Sequence, residues 1–95
     1  MSERTVRVRI TGRVQGVAYR AWTERNANAL GLTGWVRNTR DGAVEAEFSG
    51  GAREVEDMLS RCRIGPRAAK VEEVSIVGEG GTPAAGFNIE RGPSG

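Results

Sequence analysis

The sequence predicts an α+β fold, a βαββαβ sandwich in which two helices cover one face of an antiparallel sheet. Two observations lead to this fold class. Several stretches alternate apolar and polar residues, which is the pattern of strands with one buried face. Two further stretches carry residues suited to burial at helical spacing, and glycines lie between the stretches. Because 95 residues can enclose one small core but not two, we expect a single domain over residues 1–95.

The first part of the chain predicts a strand, a loop and a helix. Apolar residues alternate with arginines over residues 6–10 and mark the strand. A glycine-bounded loop follows over residues 11–17. The helix is expected from about residue 18, with Gly31 as its C-terminal stop. One stripe of this helix is expected to face the sheet, and it consists of Tyr19, Thr23, Ala27 and Leu30.

The middle of the chain predicts a hairpin and a second helix. Residues 34–39 form the second strand and residues 44–48 its antiparallel partner, joined by a tight Asp-Gly turn at 41–42. The glycines at 50–51 are expected to end the sheet pattern. A helix follows and ends before residue 65. Its buried face is expected to consist of Val55, Met58, Leu59 and Cys62.

The last part of the chain predicts one longer strand and one short strand. The longer strand is expected near residues 70–77, and residues 87–89 form the short one. Between them, residues 78–86 contain four glycines and a proline and predict a mobile loop. Residues 92–95 predict a frayed tail. Two right-handed βαβ units sharing one sheet make the split ferredoxin-like sandwich, which hosts unrelated functions.

The composition excludes several kinds of catalytic chemistry. The chain has no histidine, which excludes Ser-His and Cys-His nucleophile pairs and His-containing zinc sites. Its single cysteine, Cys62, cannot form an internal disulfide or a Cys-rich metal cage. The first residues lack the apolar region of a signal peptide, so we expect a cytoplasmic protein. No apolar run approaches the roughly 20 residues of a membrane helix, so no membrane partner is expected.

The net charge of +2 is unevenly distributed along the chain. Residues 1–41 carry eight arginines against three acidic residues, giving +5, and the remainder carries six basic and nine acidic residues, giving −3. Arginine is suited to bidentate recognition of phosphate or carboxylate. Arginine usage can equally reflect genome composition, so each arginine needs evidence from its position.

The loop between the first strand and the first helix is the candidate site for an anion. Gly12 and Gly16 allow successive peptide N–H groups to turn inward, and the helix start adds unpaired N–H groups and a positive dipole end. Arg20, in the first helical turn, opposes that dipole by roughly 0.3–1 kcal/mol unless an anion is bound there. The spacing also fits an ordinary glycine-containing turn. It matches neither a Walker A loop nor a dinucleotide-binding fingerprint.

Three motifs resemble the acylphosphatase family. They are residues 12–20 (GRVQGVAYR), 30–39 (LGLTGWVRNT) and 41–45 (DGAVE). The helix–strand–strand remainder, through residues 87–89, agrees with the family in length and order. The resemblance implies the ferredoxin-like fold. It also implies a small cytosolic hydrolase that splits acyl phosphates into a carboxylate and inorganic phosphate, with no metal or cofactor.

The resemblance further implies roles for the residues at matching positions. Arg20 is expected to bind the phosphoryl oxygens, and Asn38 to orient the attacking water for an in-line displacement. Structural support of the loop is the alternative role for Asn38. Two positions depart from the usual pattern, since Thr11 stands where many members have His and Tyr19 where Phe is usual. We expect both to tune packing or stability. The backbone N–H groups expected to help hold the phosphate are those of Gln15, Gly16, Val17, Ala18, Tyr19 and Arg20.

An RNA-binding module of the same topology is the alternative from another class. Such a module needs exposed aromatic residues on its third strand, whereas Glu45 and Glu47 are expected there as solvated charges that repel phosphate. A nearer alternative is the acylphosphatase-like first domain of hydrogenase-maturation carbamoyltransferases, which continue into zinc-binding and nucleotide domains. We expect instead a free-standing monomeric enzyme whose partners are a small acyl phosphate and inorganic phosphate, with no nucleic acid. The physiological acyl phosphate is not indicated.

Overall fold

The computed structural model describes residues 3–81 and 85–91. Within these residues, two helices lie against a sheet of five strands. Neither helix is long and apolar enough to cross a membrane. The elements are β1 (Glu3–Arg13), α1 (Tyr19–Ala29), β2 (Thr33–Asn38), β3 (Val44–Gly51), α2 (Ala52–Cys62), β4 (Lys70–Glu79) and β5 (Phe87–Ile89).

The sheet has the strand order β4-β1-β3-β2-β5. Its first four strands are antiparallel neighbours, with Val8 opposite Ala46 at the centre of the β1–β3 pair. The predicted α+β sandwich is confirmed. The sheet is mixed rather than wholly antiparallel, because β5 pairs in parallel with β2 and places Val36 opposite Ile89. This pairing adds a fifth strand at the edge, beside the end of β2.

The core lies between the sheet and the two helices. Val6, Val8 and Ile10 are fully buried on β1, as their alternation predicted. The predicted stripe of α1 is buried at Tyr19, Thr23 and Ala27, whereas Leu30 is only partly buried and packs at the edge of the core. The predicted face of α2 is wholly buried, and it consists of Val55, Met58, Leu59 and Cys62. These two buried faces hold the helices against the sheet.

Three strands are longer than their sequence patterns indicated. β1 runs from Glu3 to Arg13, so its last residues lie in the stretch 11–17 that was expected to be a loop. β3 continues through Gly51, past the glycines that were expected to end it. Gly50 makes this extension feasible, because a Cβ there would lie 2.7 Å from the side chain of Leu32. β4 continues to Glu79, into the stretch 78–86 that was expected to be a loop. Of the remaining expectations, those for residues 82–84 and for the tail 92–95 lie outside the described residues.

The open face of the sheet differs from the expectation at one carboxylate. Glu47 was expected to be solvated, but it is only 4 % exposed. Its carboxylate lies 3.4 Å from the guanidinium of Arg7, and a Cβ at Gly81 would lie 3.0 Å from its Oε1, so the chain after β4 covers it. Glu45 is partly buried and pairs with Arg37 at 2.8 Å. The acidic residues of β3 therefore pair with arginines of neighbouring strands.

Candidate active site

A cleft of about 240 Å³ opens where the start of α1 faces the ends of β2 and β5. It brings together Arg20 and Asn38, which the sequence analysis selected from two separate motifs. The loop before α1 forms one side of the cleft, and β5 contributes the opposite wall. The residues lining it are Val14, Gly16, Ala18, Tyr19, Arg20, Ala21, Asn38 and Ile89.

The loop leaves the sheet at a bulge next to Gly12. The β1–β4 register shifts between Thr11 and Gly12, and a Cβ at Gly12 would lie 2.2 Å from the backbone oxygen of Lys70. Only glycine fits this close approach to β4, and the pairing continues to Arg13, opposite Lys70, where β1 ends. Gly16 then has a φ of 73° and Ala18 a φ of 63°. Left-handed backbone at these two positions turns the chain sharply into α1.

The side chain of Gln15 fastens this loop to the turn between β2 and β3. Its Nε2 donates hydrogen bonds of 2.8 Å to the backbone oxygens of Thr39 and Ala43. Thr39 directly follows Asn38, so the loop and the end of β2 are held in a fixed relation. From the sequence, only the backbone N–H of Gln15 was expected to take part in the site. The role of its amide was missed because both acceptors are backbone atoms far along the chain.

Arg20 is the one partly buried arginine without a partner among the described residues. Every other partly buried arginine there contacts a carboxylate, as Arg4, Arg9, Arg37 and Arg61 do. The Arg20 guanidinium has neither an ion pair nor a hydrogen bond within the described ranges. A partly buried cation held beside a cleft without a counter-charge favours binding of an anion.

The start of α1 adds to this positive character. Its N-cap, Ala18, provides no side-chain hydrogen bond, and its first turn contains no acidic residue. The first hydrogen bond of the turn runs from the Trp22 N–H to the Ala18 oxygen, at 3.0 Å. The N–H groups at the head of a helix have no partners within the helix and lie at the positive end of its dipole. Those at residues 19–21 therefore lie at the cleft, beside Arg20.

Asn38 is the last residue of β2 and lines the cleft. Its Oδ1 is buried and has no hydrogen-bond partner among the described residues. A buried amide oxygen without a partner is costly, by about 1–3 kcal/mol. Because Asn38 lines the cleft, a water or ligand in the cleft can donate to this oxygen.

The other predicted site residues fall into two groups. Gly16, Ala18 and Tyr19 line the cleft as expected for a binding loop, whereas Gln15 and Val17 do not, and Val17 packs against the core. Ile89 is a lining residue that the sequence analysis missed. Its position depends on the parallel pairing of β5 with β2, which no local pattern encodes.

Tyr19 is a lining residue of the cleft, and its hydroxyl lies in the core. The hydroxyl donates a 2.7 Å hydrogen bond to the backbone oxygen of Cys62, at the end of α2. Burial raises the pKa of the Tyr19 hydroxyl well above its usual value, so it stays a donor. Burial also raises the pKa of the Cys62 thiol to about 12, which keeps that thiol protonated and unreactive.

Fold and cleft together define a class of protein, a ferredoxin-like α+β protein with a cleft at the head of its first helix. Comparison with known proteins identifies the family. The family model described as Acylphosphatase matches residues 6–89. An acylphosphatase of Rhodopseudomonas palustris (strain BisB5) is 56 % identical over 84 residues, which cover 88 % of this chain and 84 % of that protein. The chain belongs to the acylphosphatase family.

Solved structures agree with this assignment. An acylphosphatase from Coxiella burnetii superimposes with a TM-score of 0.87 at 30 % identity, covering 93 % of each chain. Acylphosphatase from Bacillus subtilis superimposes with a TM-score of 0.83 at 28 % identity, covering 94 % of this chain and 99 % of that one. The predicted family and fold are confirmed. The chain is accordingly a hydrolase of the acylphosphatase type, with a small-molecule acyl phosphate as substrate and phosphate as product.

Proposed function

We propose that the cleft between α1 and β2 is where this chain hydrolyses acyl phosphates, by in-line attack of a water positioned by Asn38 on a phosphoryl group held by Arg20 and backbone amides. One observation carries the proposal. Arg20 and Asn38 line the same cleft, and the Arg20 guanidinium and the Asn38 Oδ1 each lack a partner within the described residues. A phosphoryl group and a water would supply both partners at once.

The phosphoryl group is held by charge and by N–H donors. A phosphoryl dianion at the head of α1 receives hydrogen bonds from the loop and helix amides of residues 15–20 and a charge-assisted contact from Arg20. These donors are fixed before the substrate arrives, because Gln15 fastens the loop to the β2–β3 turn. Such fixed donors stabilise charge on the equatorial oxygens as the P–O bond breaks.

Asn38 positions the nucleophile rather than activating it by proton transfer. A neutral amide is not a base, but its Oδ1 accepts a hydrogen bond from a water and so aims the water lone pair at phosphorus. The water is then already close to the phosphorus and aligned with it, which lowers the entropic part of the barrier.

The proton balance requires no acid or base from the protein. Water forms a new O–P bond as the bond between phosphorus and the acyl oxygen breaks, and the electron pair of that bond leaves with the carboxylate. A carboxylate is a stable leaving group, so no general acid is needed. The proton of the water passes to a phosphoryl oxygen of the substrate, and the products are the carboxylate and inorganic phosphate.

The proposal extends to the setting in which the enzyme works. Among the residues that the structure describes, those that line the cleft include no carboxylate, histidine or cysteine, and this supports a reaction without a metal or other cofactor. We further propose a single-domain, monomeric, cytoplasmic protein with no nucleic-acid or membrane partner. On the open sheet face Arg9 pairs with Asp41 and Arg37 with Glu45, which leaves less positive charge for RNA.

The test is benzoyl phosphate hydrolysis by the full chain in the presence of EDTA, with inorganic phosphate titrated as an inhibitor. We expect EDTA to leave turnover unaffected. We expect phosphate to inhibit competitively, because phosphate and the phosphoryl group of the substrate occupy the same amides and Arg20. Loss of activity with EDTA would contradict the metal-free mechanism. Noncompetitive inhibition would place the phosphate site outside this cleft. A gel shift with short RNA that persists in millimolar phosphate would support the RNA-binding alternative.

A further inference from the structure

The apolar wall of the cleft is the part of its lining that includes an exposed isoleucine. Ile89 is 40 % exposed and lines the cleft together with Ala18 and Ala21. The proposed mechanism uses the N–H groups, Arg20 and Asn38, but it leaves this wall without a role. An apolar side chain that stays partly exposed inside a cleft can gain from covering by an apolar ligand group.

The strand register fixes the direction of the Ile89 side chain. β5 pairs in parallel with β2, Ile89 lies opposite Val36, and the Glu90 N–H donates to the Val36 oxygen at 2.8 Å. Val36 is fully buried under the helices, and side chains of paired residues lie on the same face of a sheet. Asn38, two residues further along β2, shares this face. Ile89 is therefore on the helix-covered face, beside the start of α1.

The size of the cleft leaves room for more than the phosphate. A water occupies roughly 30 Å³ in the liquid, so a cleft of about 240 Å³ is larger than one phosphoryl group and one water need. The charged end of the substrate lies at the loop amides and Arg20. The part of the substrate beyond the scissile bond must then extend along the remaining surface, which includes the apolar wall.

We infer that Ile89, together with Ala21 of the same cleft, contacts the acyl group of the substrate and gives the enzyme a preference for acyl phosphates with apolar acyl groups. The inference rests on the proposed function, since it needs the phosphoryl group at Arg20. Ile89 is a specificity-determining residue that touches the leaving group, while Arg20 and Asn38 serve the phosphoryl group and the water. Aromatic or branched acyl groups cover the Ile89 side chain, whereas an acetyl group is too small to cover much of it.

Ile76 provides a matched control for Ile89. Both are isoleucines on edge strands of the sheet, and Ile76 is 46 % exposed against 40 % for Ile89. Ile76 lies opposite the buried Val8, so it also belongs to the helix-covered face. It lies on β4, at the other edge of the sheet, and does not line the cleft. Any general effect of replacing a half-exposed edge isoleucine will therefore appear in both variants.

The experiment measures kcat/KM of the full chain for benzoyl phosphate and for acetyl phosphate, in the wild type, Ile89→Ser and Ile76→Ser. We expect Ile89→Ser to lower the benzoyl phosphate value about three- to tenfold and the acetyl phosphate value less than twofold, so the preference ratio falls. Ile76→Ser is expected to leave the ratio unchanged. Ile89→Val should give a ratio between wild type and Ile89→Ser, and it keeps the β-branched side chain should the serine variant fold poorly.

The outcomes separate the inference from the function on which it rests. An Ile89→Ser ratio equal to that of the wild type, with both substrates still hydrolysed, overturns the acyl contact alone. A wild type that hydrolyses neither substrate overturns the proposed function. The inhibition constant of inorganic phosphate gives a further readout, because phosphate has no acyl group. An equal weakening of phosphate inhibition and benzoyl phosphate hydrolysis in Ile89→Ser would show a general disturbance of the cleft and would overturn the contact.

Discussion

The two helices are equally long, yet their N-termini are built in opposite ways. α1 and α2 each have 11 residues and each carry an arginine as their second residue, Arg20 and Arg53. α2 begins from Gly51 at a φ of −60°, has Glu54 in its first turn and ends with Arg61 in its last turn. Glu54 and Arg61 therefore each complement the dipole of α2. A Cβ at Gly51 would lie 2.2 Å from Oε1 of Glu54, so this carboxylate lies over the N-terminus of α2.

α1 has no such charged residues in its first or last turn, and its N-cap has a different conformation. It begins from Ala18 in a left-handed conformation, has no acidic residue in its first turn, and has no basic residue in its last turn. It faces the cleft and, across it, the unpartnered Oδ1 of Asn38. α2 is stabilised by its own residues, whereas α1 leaves its positive end for a ligand. The difference teaches that the helix with the poorer local sequence is the one at the proposed active site.

The largest expected effect comes from removing the arginine of each helix start. Arg20→Ala should lower kcat/KM for benzoyl phosphate by about 10²- to 10³-fold, because one fixed donor to the transition-state charge is lost. Inorganic phosphate should also inhibit this variant more weakly. Arg53→Ala, at the same place in α2, is the control and should keep the wild-type rate. Similar losses in both variants would mean that the two helix starts do not differ in function.

Ligand-dependent stability offers a second measurement on the same pair. Phosphate that binds only the folded state raises the thermal midpoint with increasing concentration. The wild type and Arg53→Ala should show this rise, and Arg20→Ala should show little of it. A full rise in Arg20→Ala would place the phosphate elsewhere.

The next effect concerns the group that faces the start of α1. Asn38→Ala removes the acceptor for the water but leaves Arg20 and the amides in place, so kcat should fall by about 10²-fold while phosphate inhibition stays within about twofold. Steady-state kinetics with phosphate titration separates the two quantities. Asn28→Ala, an exposed asparagine near the end of α1, is the control. Equal losses of turnover and phosphate binding would assign Asn38 to support of the loop instead.

Much of the fold could be predicted because the signals are local. Alternation over residues 6–10 and the buried face of α2 are periodic patterns that burial alone imposes. The partner of β5 could not be predicted, since three residues carry no information on whether they pair with β2 or with β4. The length of β3 was missed for a similar reason. A glycine at position 50 usually indicates the end of a strand. Here the lack of a side chain lets β3 continue close to the Leu32 side chain.

The residues of the candidate site likewise divide into those that local motifs predict and those that only tertiary contacts reveal. Arg20 and Asn38 belong to contiguous motifs, so the resemblance to a family selected them, and the structure places them in one cleft. The Gln15 amide and Ile89 were missed because their surroundings arise from contacts between distant segments. Gln15 reaches the β2–β3 turn, and Ile89 depends on the β2–β5 register. Contiguous motifs select the two residues proposed for catalysis, whereas the residues proposed to hold the loop or to contact the acyl group become visible only with the tertiary structure.

A smaller effect is expected from the hydrogen bond that joins the start of α1 to the end of α2. Tyr19→Phe removes the donor to the Cys62 oxygen and should lower the free energy of unfolding by about 1 kcal/mol. Chemical denaturation measures this change. Thr23→Val is the control, because its buried hydroxyl bonds only within α1, to the Tyr19 oxygen. If Tyr19→Phe were as stable as the wild type, the Cys62 oxygen would be satisfied without the hydroxyl, and the two helices would not be coupled through it.

The smallest effect concerns the N-caps, where the two helices differ most in conformation. Ala18 has a φ of 63°, which glycine adopts at lower cost, so Ala18→Gly should raise the free energy of unfolding by about 0.5–1 kcal/mol. The same change adds freedom to a preorganised loop, so phosphate should inhibit about two- to fivefold more weakly. Gly51→Ala in α2 is the matched variant. Its φ of −60° suits alanine, but the new Cβ displaces Glu54, so stability should change by less than about 0.5 kcal/mol and inhibition should not change.

Opposite signs for stability and phosphate binding are therefore expected at Ala18 alone. Denaturant titration and phosphate inhibition of the two variants measure both quantities on the same preparations. If the strained backbone at Ala18 served no ligand, Ala18→Gly would relieve the strain without weakening phosphate binding. If Ala18→Gly gains stability and keeps full phosphate affinity, the left-handed alanine is a local defect of α1 and not a part of the cleft. A loss of affinity with a gain in stability would instead mean that α1 holds its first N–H groups in place for the anion at the expense of its own stability.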